Sequence, residues 1–511
     1  MPSNANIKNT MITSLIISET QQLSFGNFIW NDPQNRKYLL LGIGISIVEF
    51  IVFKLLYPYP DFFSDSYSYL FAAATHLDIS IWPIGYSKFL SAFHEITSSD
   101  TALVGFQYFL LQISALILFF TLDYFYQLQN KSKQLLFLFI IINPLSLYLC
   151  NTINSDALFA ALSIFWIAHL VWLLNIPTIL NLFIHAVLLF LCFTIRNNAY
   201  YYPVVYVILL LLINKSILFK ISGLIIPTVL LVSFIIHTQN EAYNLTGKRQ
   251  FSLFSGWQLA NNALYIYDKI QVDSSTLNTE SSKELNRISE NWIHKVNPTL
   301  YRDFLESYVG NFFIRQPDAP LKTYYKLHYQ NQENIISSWG KASIVFESFG
   351  KAIILNHPWE YFRYFVIPNA VHYYIPPLSH IGLYNYGQDN IDPIAKEWFH
   401  YRKANVRAFS YTLQGILAIY SGIFLLLNVS YLSYFGIYLI KRNKIAKTLE
   451  KELLLYLATI FVVCNYVFSL IATVNILRYQ IVPQFVLLFF SVFLSEYIQS
   501  NSKHFKKQIS K

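Results

Sequence analysis

Two aspartates four residues apart stand early in the chain in a setting that could give them chemistry. They lie in Tyr57-Pro-Tyr-Pro-Asp61-Phe-Phe-Ser-Asp65-Ser-Tyr-Ser-Tyr69, followed by Ile81-Trp82-Pro83-Ile-Gly85-Tyr86-Ser-Lys88. An acid held at a low-dielectric boundary gains basicity and could take the proton of an attacking hydroxyl. Asp65 is the first choice for such a base and Asp61 the second; either could equally N-cap a helix starting near Ser66. Three further polar points punctuate apolar surroundings: Asn151-Thr-Ile-Asn-Ser-Asp156, Arg196-Asn-Asn, and Asn475-Ile-Leu-Arg478-Tyr479-Gln480. Acids and cations gathered on one side would suit an anionic lipid head group, with Lys88 as a further cation. The competing readings are a helix cap for Asp156, guanidiniums of Arg196 and Arg478 reaching to lipid phosphates, and a lipid-surface anchor for Lys88.

The elements that must position these residues are read from the apolar runs. Of 511 residues, 54% are hydrophobic and 13% charged, the latter about half the globular norm. The mean hydropathy is +0.38. Runs long enough, or nearly so, to cross the hydrocarbon layer fall at 38–57, 102–122, 134–150, 156–175, 178–195, 200–213, 217–236, 409–440, 453–474 and 479–498. They predict an all-α polytopic membrane protein of about ten spans. With the N-terminus inside, the inner connections carry Lys131/Lys133, Lys215/Lys220 and Lys441/Arg442/Lys444/Lys447, and the tail carries Lys503/Lys506/Lys507/Lys511. This meets the positive-inside rule with both termini cytoplasmic.

The resulting organisation has a cytoplasmic segment 1–37, spans one to seven over 38–237 with a first outer loop 58–101, and an extracytoplasmic, mainly helical segment 238–408 between spans seven and eight. Spans eight to ten over 409–499 and a basic tail 500–511 complete it. Within 238–408, Asp273 to Glu290 is a polar stretch expected to form a surface helix or loop. The aromatic pieces Phe251–Trp257 and Trp359–Pro368 are expected to lie on the bilayer surface. Five tryptophans of this segment, Trp257, Trp292, Trp339, Trp359 and Trp398, could stack on sugar faces or serve as anchors and local core.

Several function classes are excluded or unsupported. The net charge of +9 comes from clusters beside the ends of apolar runs rather than from one basic face, so no nucleic-acid partner is expected. Cys150, Cys192 and Cys464 lack CxxC spacing, and the 12 histidines contain no HExxH, so neither a disulfide framework nor a dedicated metal site is expected. No P-loop or GxGxxG opens a helix. The brief apolar stretch Met11–Ile17 lacks the flanks of a cleaved signal peptide.

These residues resemble the GT-C fold membrane glycosyltransferases, particularly the family 39-like bacterial branch similar to protein O-mannosyltransferases and aminoarabinose transferases. The likeness rests on Asp65-Ser-Tyr-Ser-Tyr69 followed by Trp82-Pro-Ile-Gly-Tyr86, Asn143-Pro144 leading to Asn154-Ser-Asp156-Ala-Leu-Phe159, Thr194-Ile-Arg196, and Leu477-Arg478-Tyr479-Gln-Ile-Val-Pro483. It covers about 38–236 and 409–498. The resemblance implies transfer of a sugar from a polyprenyl-phosphate donor to a protein, lipid or glycan acceptor on the non-cytoplasmic face. It implies Asp65 as catalytic base, Asp156 as an assisting acid, and Lys88, Arg196, Arg478 and Tyr479 around the donor phosphate. The second acid Asp61 and the position of the large outer segment depart from the commonest pattern. No cofactor is required by such a reaction, although Asp61, Asp65 and Asp156 could hold a divalent cation loosely. A ligase or polymerase of polyprenyl-diphosphate-linked glycans and a lipid or solute transporter are the competing classes; polar residues at span ends rather than mid-span disfavour transport. The Lys-, Ile- and Asn-rich composition points to a bacterial inner membrane.

Overall fold

A computed structural model describes residues 24–295, 311–330, 334–445, 448–472 and 474–509. The Met11–Ile17 stretch, Lys447 and Lys511 lie outside the described residues, as do the side chains of Lys444, Lys503, Lys506 and Lys507. The first part of the chain folds into α1 (Pro33–Leu56), α2 (Ser64–Ala74), α3 (Gly85–His94), α4 (Asp100–Tyr126), α5 (Asn130–Ile141), α6 (Pro144–Asn151), α7 (Ser155–Asn175), α8 (Ile179–Ile195), α9 (Tyr202–Leu212) and α10 (Ile217–Thr246). The large segment adds α11 (Ser255–Leu264), α12 (Glu280–Lys295), α13 (Pro320–Tyr329), α14 (Ile335–Asn356), α15 (Ile367–Tyr374) and α16 (Pro393–Trp398). The chain closes with α17 (Ile419–Lys441), α18 (Leu449–Ile471) and α19 (Ile481–Ile509). Among the described residues the only β-type pairings are two isolated bridges.

Among the described residues, eight helices are long and apolar enough to cross a membrane: 33–56, 100–126, 130–151, 155–175, 217–246, 413–441, 449–471 and 481–499. They coincide with eight of the ten expected runs, and the two others are the shorter apolar helices 179–195 and 197–212. Their burial differs as expected of a bundle set in lipid. The last span has 89% of its apolar window buried inside the protein, whereas α1 and α10 have 17%. Leu40, Val48, Ile51 and Leu55 of α1 are among the exposed apolar residues, a face that water would not tolerate and a hydrocarbon layer would. The protein is therefore an all-α polytopic membrane protein.

Local chemistry sets the helix ends. The Asp32 carboxylate accepts the N–H groups of Gln34 (2.8 Å) and Asn35 (2.9 Å) ahead of Pro33 at the first turn of α1. Pro144 cannot donate to a continuing helix, so the third span breaks into α5 and α6 across Asn143.

The large segment has its own core of Trp257, Leu264, Leu285, Phe313, Phe346 and Phe349. Its centre is the crossing of α11 and α14, where a Cβ on Gly256 would sit 1.8 Å from the Ser343 carbonyl oxygen. Trp257 is fully buried there, so that tryptophan is core rather than a bilayer-surface anchor. The polar stretch ends in α12, a helix that buries Leu285, Asn286 and Ser289. The Trp359–Pro368 piece is helical and descends along α18. Tyr361 Oη donates to the Ile471 carbonyl (3.2 Å), Asn369 to Ser469 (3.1 Å), and Tyr373 Oη to Asn465 Oδ1 (2.9 Å). A π-helical turn at Phe362–Val366 keeps Tyr361, Phe365, Asn369 and Tyr373 buried at four-residue spacing, while Trp359, Phe362, Ile367 and Val371 face outward.

Candidate functional site

The polar points found in the sequence converge at the end of the bundle that carries the large segment. The convergence begins with backbone stitching. Asp61 pairs in a parallel bridge with Thr152: its N–H donates to the Asn151 carbonyl (2.9 Å) and its carbonyl accepts from Ile153 (3.1 Å). This clamps the first loop to the turn between α6 and α7. Asp65 and Asp156 are then each the second residue of a helix, α2 and α7, where exposed N–H groups and the helix dipole favour a carboxylate. Neither is the cap itself: at α2 the Phe63 N–H donates to Ser66 Oγ (3.1 Å).

Two guanidiniums close the cluster. Arg196 ends α8 in an extended conformation and donates to Ser155 Oγ (3.2 Å) and to Asp156 Oδ1. Ser155 in turn meets Tyr69 Oη at 2.9 Å. Arg478 sits in a single 3-10 turn, Leu477–Tyr479, pinned by the Leu477 N–H on the Pro377 carbonyl (3.0 Å). Its Nη1 donates to Asp156 Oδ2 (3.1 Å), and its Nη2 to Asp65 Oδ2 (3.3 Å) and Tyr479 Oη (3.1 Å). The Tyr479 ring lies 4.5 Å from the Arg196 guanidinium and 4.9 Å from that of Arg478, so its π-face accommodates two like charges at close quarters.

Exposure separates the roles within the cluster. The side chains of Arg478 and Asp156 are 3% and 2% accessible, whereas Asp65 is 21% accessible. Asp156 is a buried counter-ion shared by two arginines. Asp65 is the carboxylate that a ligand could reach.

The other two candidates lie elsewhere. The Asp61 carboxylate is 4% exposed and accepts the Asn385 N–H (2.8 Å) and Gln414 Nε2 (3.3 Å). Burial pushes its pKa up to about 7 against these two stabilising donors. Asp61 thus holds the 379–387 loop rather than joining the charged cluster. Lys88 forms an exposed pair with Asp78 (2.7 Å, 47% and 56% accessible) and does not touch the arginines or the acids of the cluster. Its helix nonetheless abuts the site, because Gly85 packs on the end of α8. A Cβ there would meet the Thr194 carbonyl oxygen at 2.6 Å.

The large segment also reaches the cluster, which the sequence did not reveal. His380 lies 5.5 Å from the Phe63 ring, and the Arg478 guanidinium lies 4.8 Å from that same ring. Arg315 Nη1 is 3.4 Å from His380 Nδ1. Tyr386 packs edge-on to His380 at 5.1 Å, and burial raises its pKa. The loop presenting these groups has left-handed backbone at Ser379 (φ 54°), Asn385 (φ 44°) and Tyr386 (φ 52°), each costing on the order of 1 kcal/mol or more for a non-glycine residue. Tyr384 Oη anchors it to the Pro60 carbonyl (3.2 Å), and Gln414 to the Ile381 carbonyl (2.9 Å). A turn signal, Pro376-Pro377, precedes His380, but no spacing could relate it to Phe63 or Arg315.

Among the described residues no group of three or more His, Cys, Asp or Glu side chains is placed to hold a metal ion. Compared with known proteins, the chain matches no family model, no curated protein and no solved structure. The arrangement itself defines what the site can do: a reachable carboxylate beside a buried, cation-rich floor can accept a proton while holding an anion.

Proposed function

We propose that the protein is an inverting glycosyltransferase that moves a sugar from a polyprenyl-phosphate donor to an acceptor hydroxyl. The observation that carries this reading is the partly accessible Asp65 held 3.3 Å from Arg478, beside the buried Asp156 that Arg196 also holds. The hydroxyl oxygen of the acceptor attacks the anomeric carbon, its proton passes to Asp65, and the bond from that carbon to the phosphate oxygen breaks with its electron pair leaving on the phosphate. Arg478 and Arg196 hold the charge that develops there. A single displacement inverts the anomeric centre. A phosphate is a competent leaving group, so the step requires no metal.

The ion pair between Asp65 and Arg478 gives this scheme an order. While Asp65 Oδ2 accepts from Arg478 Nη2 at 3.3 Å, that oxygen is engaged. A donor phosphate that draws Arg478 onto its own oxygens frees it to receive the acceptor hydroxyl once there is a donor to attack.

In this reading the chain has ten spans, the two shorter helices included, with both termini cytoplasmic and the site on the periplasmic face of a bacterial inner membrane. Basic residues at the inner connections support that orientation, and the acceptor is a protein, lipid or glycan.

Native mass spectrometry of the protein in mild detergent, with fragmentation of any co-purified lipid, tests the proposal. A polyprenyl phosphate or its sugar conjugate is expected. A polyprenyl diphosphate carrying a long glycan would replace transfer of one sugar by glycan ligation, and bulk phospholipid alone would remove the lipid-linked donor.

A further inference from the structure

The Arg315–His380 pair is a piece of chemistry that the ion-pair cluster does not use. A guanidinium has only donors, so Arg315 Nη1, 3.4 Å from His380 Nδ1, makes that nitrogen the acceptor. The ring proton must then sit on Nε2. Burial, reinforced by the charges of Arg315 and Arg478, drives the imidazole pKa down to about 2, so the ring is neutral and its tautomer is fixed by its neighbour. Its Nε2 is buried and has no hydrogen-bond partner among the described residues.

A second buried donor belongs to a side chain on the same Phe63 ring. Arg478 is 4% exposed, and its Nε likewise has no partner among the described residues. Both side chains touch the Phe63 ring, His380 at 5.5 Å and the Arg478 guanidinium at 4.8 Å. Two buried donors on side chains that share one ring each lack an acceptor among the described residues. Arg315 brings a third guanidinium to His380, beside the pairs that Arg196 and Arg478 make with Asp156 and Asp65. The left-handed backbone at Ser379, Asn385 and Tyr386 is maintained in the loop that brings His380 to this point.

Resting on the phosphate-linked donor of the preceding reading, we infer that His380 is a ligand-binding residue: its Nε2–H, oriented by Arg315, donates with Arg478 Nε to an oxygen of the donor phosphate. The large segment thereby supplies part of the binding site instead of only covering it. A neutral donor holds the oxygen without adding a charge that would have to be released with the product.

The amide replacements distinguish this from a packing role. Glutamine places its NH2 near the position of Nε2, whereas asparagine places it near Nδ1. Equilibrium binding of farnesyl phosphate to the full-length protein in detergent, with farnesol as the uncharged control, is the readout, and thermal unfolding shows that each variant is folded. His380→Gln is expected to bind within about threefold of the unsubstituted protein, and His380→Asn about tenfold or more weaker, as loss of a hydrogen bond to a charged oxygen requires. Equal affinities for both variants, whether retained or lost, would overturn the role of His380 while leaving the phosphate site standing. No preference of the unsubstituted protein for farnesyl phosphate over farnesol would overturn the phosphate reading and this inference together.

Discussion

The Asp61 carboxylate accepts the backbone N–H of Asn385 at 2.8 Å across 324 residues of sequence, and Asn385 is itself in the left-handed region. A side chain from the first loop therefore fixes the strained turn that presents His380 and Tyr386 to the charged cluster. Asp61→Asn keeps an acceptor for that N–H and is expected to retain the fold, whereas Asp61→Ala leaves the Asn385 N–H without its side-chain acceptor and Gln414 with the Ile381 carbonyl only, and should cost about 1–3 kcal/mol. Thermal unfolding in detergent measures the difference. The folded pKa of about 7 exceeds the ordinary 3.8, so the folded state holds a proton that the unfolded state has released. Stability linked to Asp61 is full below about pH 4 and falls as pH rises towards 7; in Asp61→Asn that slope should disappear.

Asp65→Asn preserves shape but removes the proton acceptor. Transfer should fall by about 100-fold or more, while insertion into the membrane and donor binding persist. A sugar-transfer assay with labelled donor, run beside donor binding, checks this. Full transfer by Asp65→Asn would displace Asp65 as the base.

Arg478 is the keystone of the cluster. Its truncation to alanine strands Asp156 with Arg196 alone and leaves Asp65 without a guanidinium among the described residues. Breaking a buried pair on one side costs about 3–5 kcal/mol. Arg478→Lys should recover little of it, because one ammonium cannot reproduce the planar fork that reaches both acids and the Tyr479 hydroxyl. Unfolding temperatures of the two variants, and their farnesyl phosphate affinities, provide the measurement.

Lys88→Ala should leave donor affinity unchanged and shift stability by less than about 1 kcal/mol, as expected for an exposed pair. A loss of donor affinity of tenfold or more would return Lys88 to the site.

The sequence carried eight membrane-length helices among the described residues and the four loops whose polar residues meet. Uninterrupted apolar runs announce membrane helices directly, and Asp65, Asp156, Arg196 and Arg478 stand out because charge at a span end is expensive. What stayed hidden was recognition across distance. The sequence ranks Asp65 ahead of Asp61 but leaves both as candidate bases, and the bridge to Thr152 and the Asn385 contact separate an anchor from a reachable acid. Lys88 sits three residues from Gly85, which packs tightly on Thr194, yet its ammonium reaches Asp78. Arg315 and His380 belong to a segment whose polar residues follow no membrane periodicity, so nothing marked them.

The contact between Asp65 and Arg478 spans 413 residues, and that separation has a consequence in time. At roughly 5–20 residues per second of synthesis, Asp156 meets Arg196, 40 residues on, after about 2–8 s, whereas Asp65 waits about 20–80 s for Arg478. Throughout that interval the nascent chain carries a carboxylate at the membrane boundary without its guanidinium. The site becomes electrically complete only with the turn leading into the final span, so a ribosome that stops before it releases a protein with nearly all its helices and an open circuit at its centre.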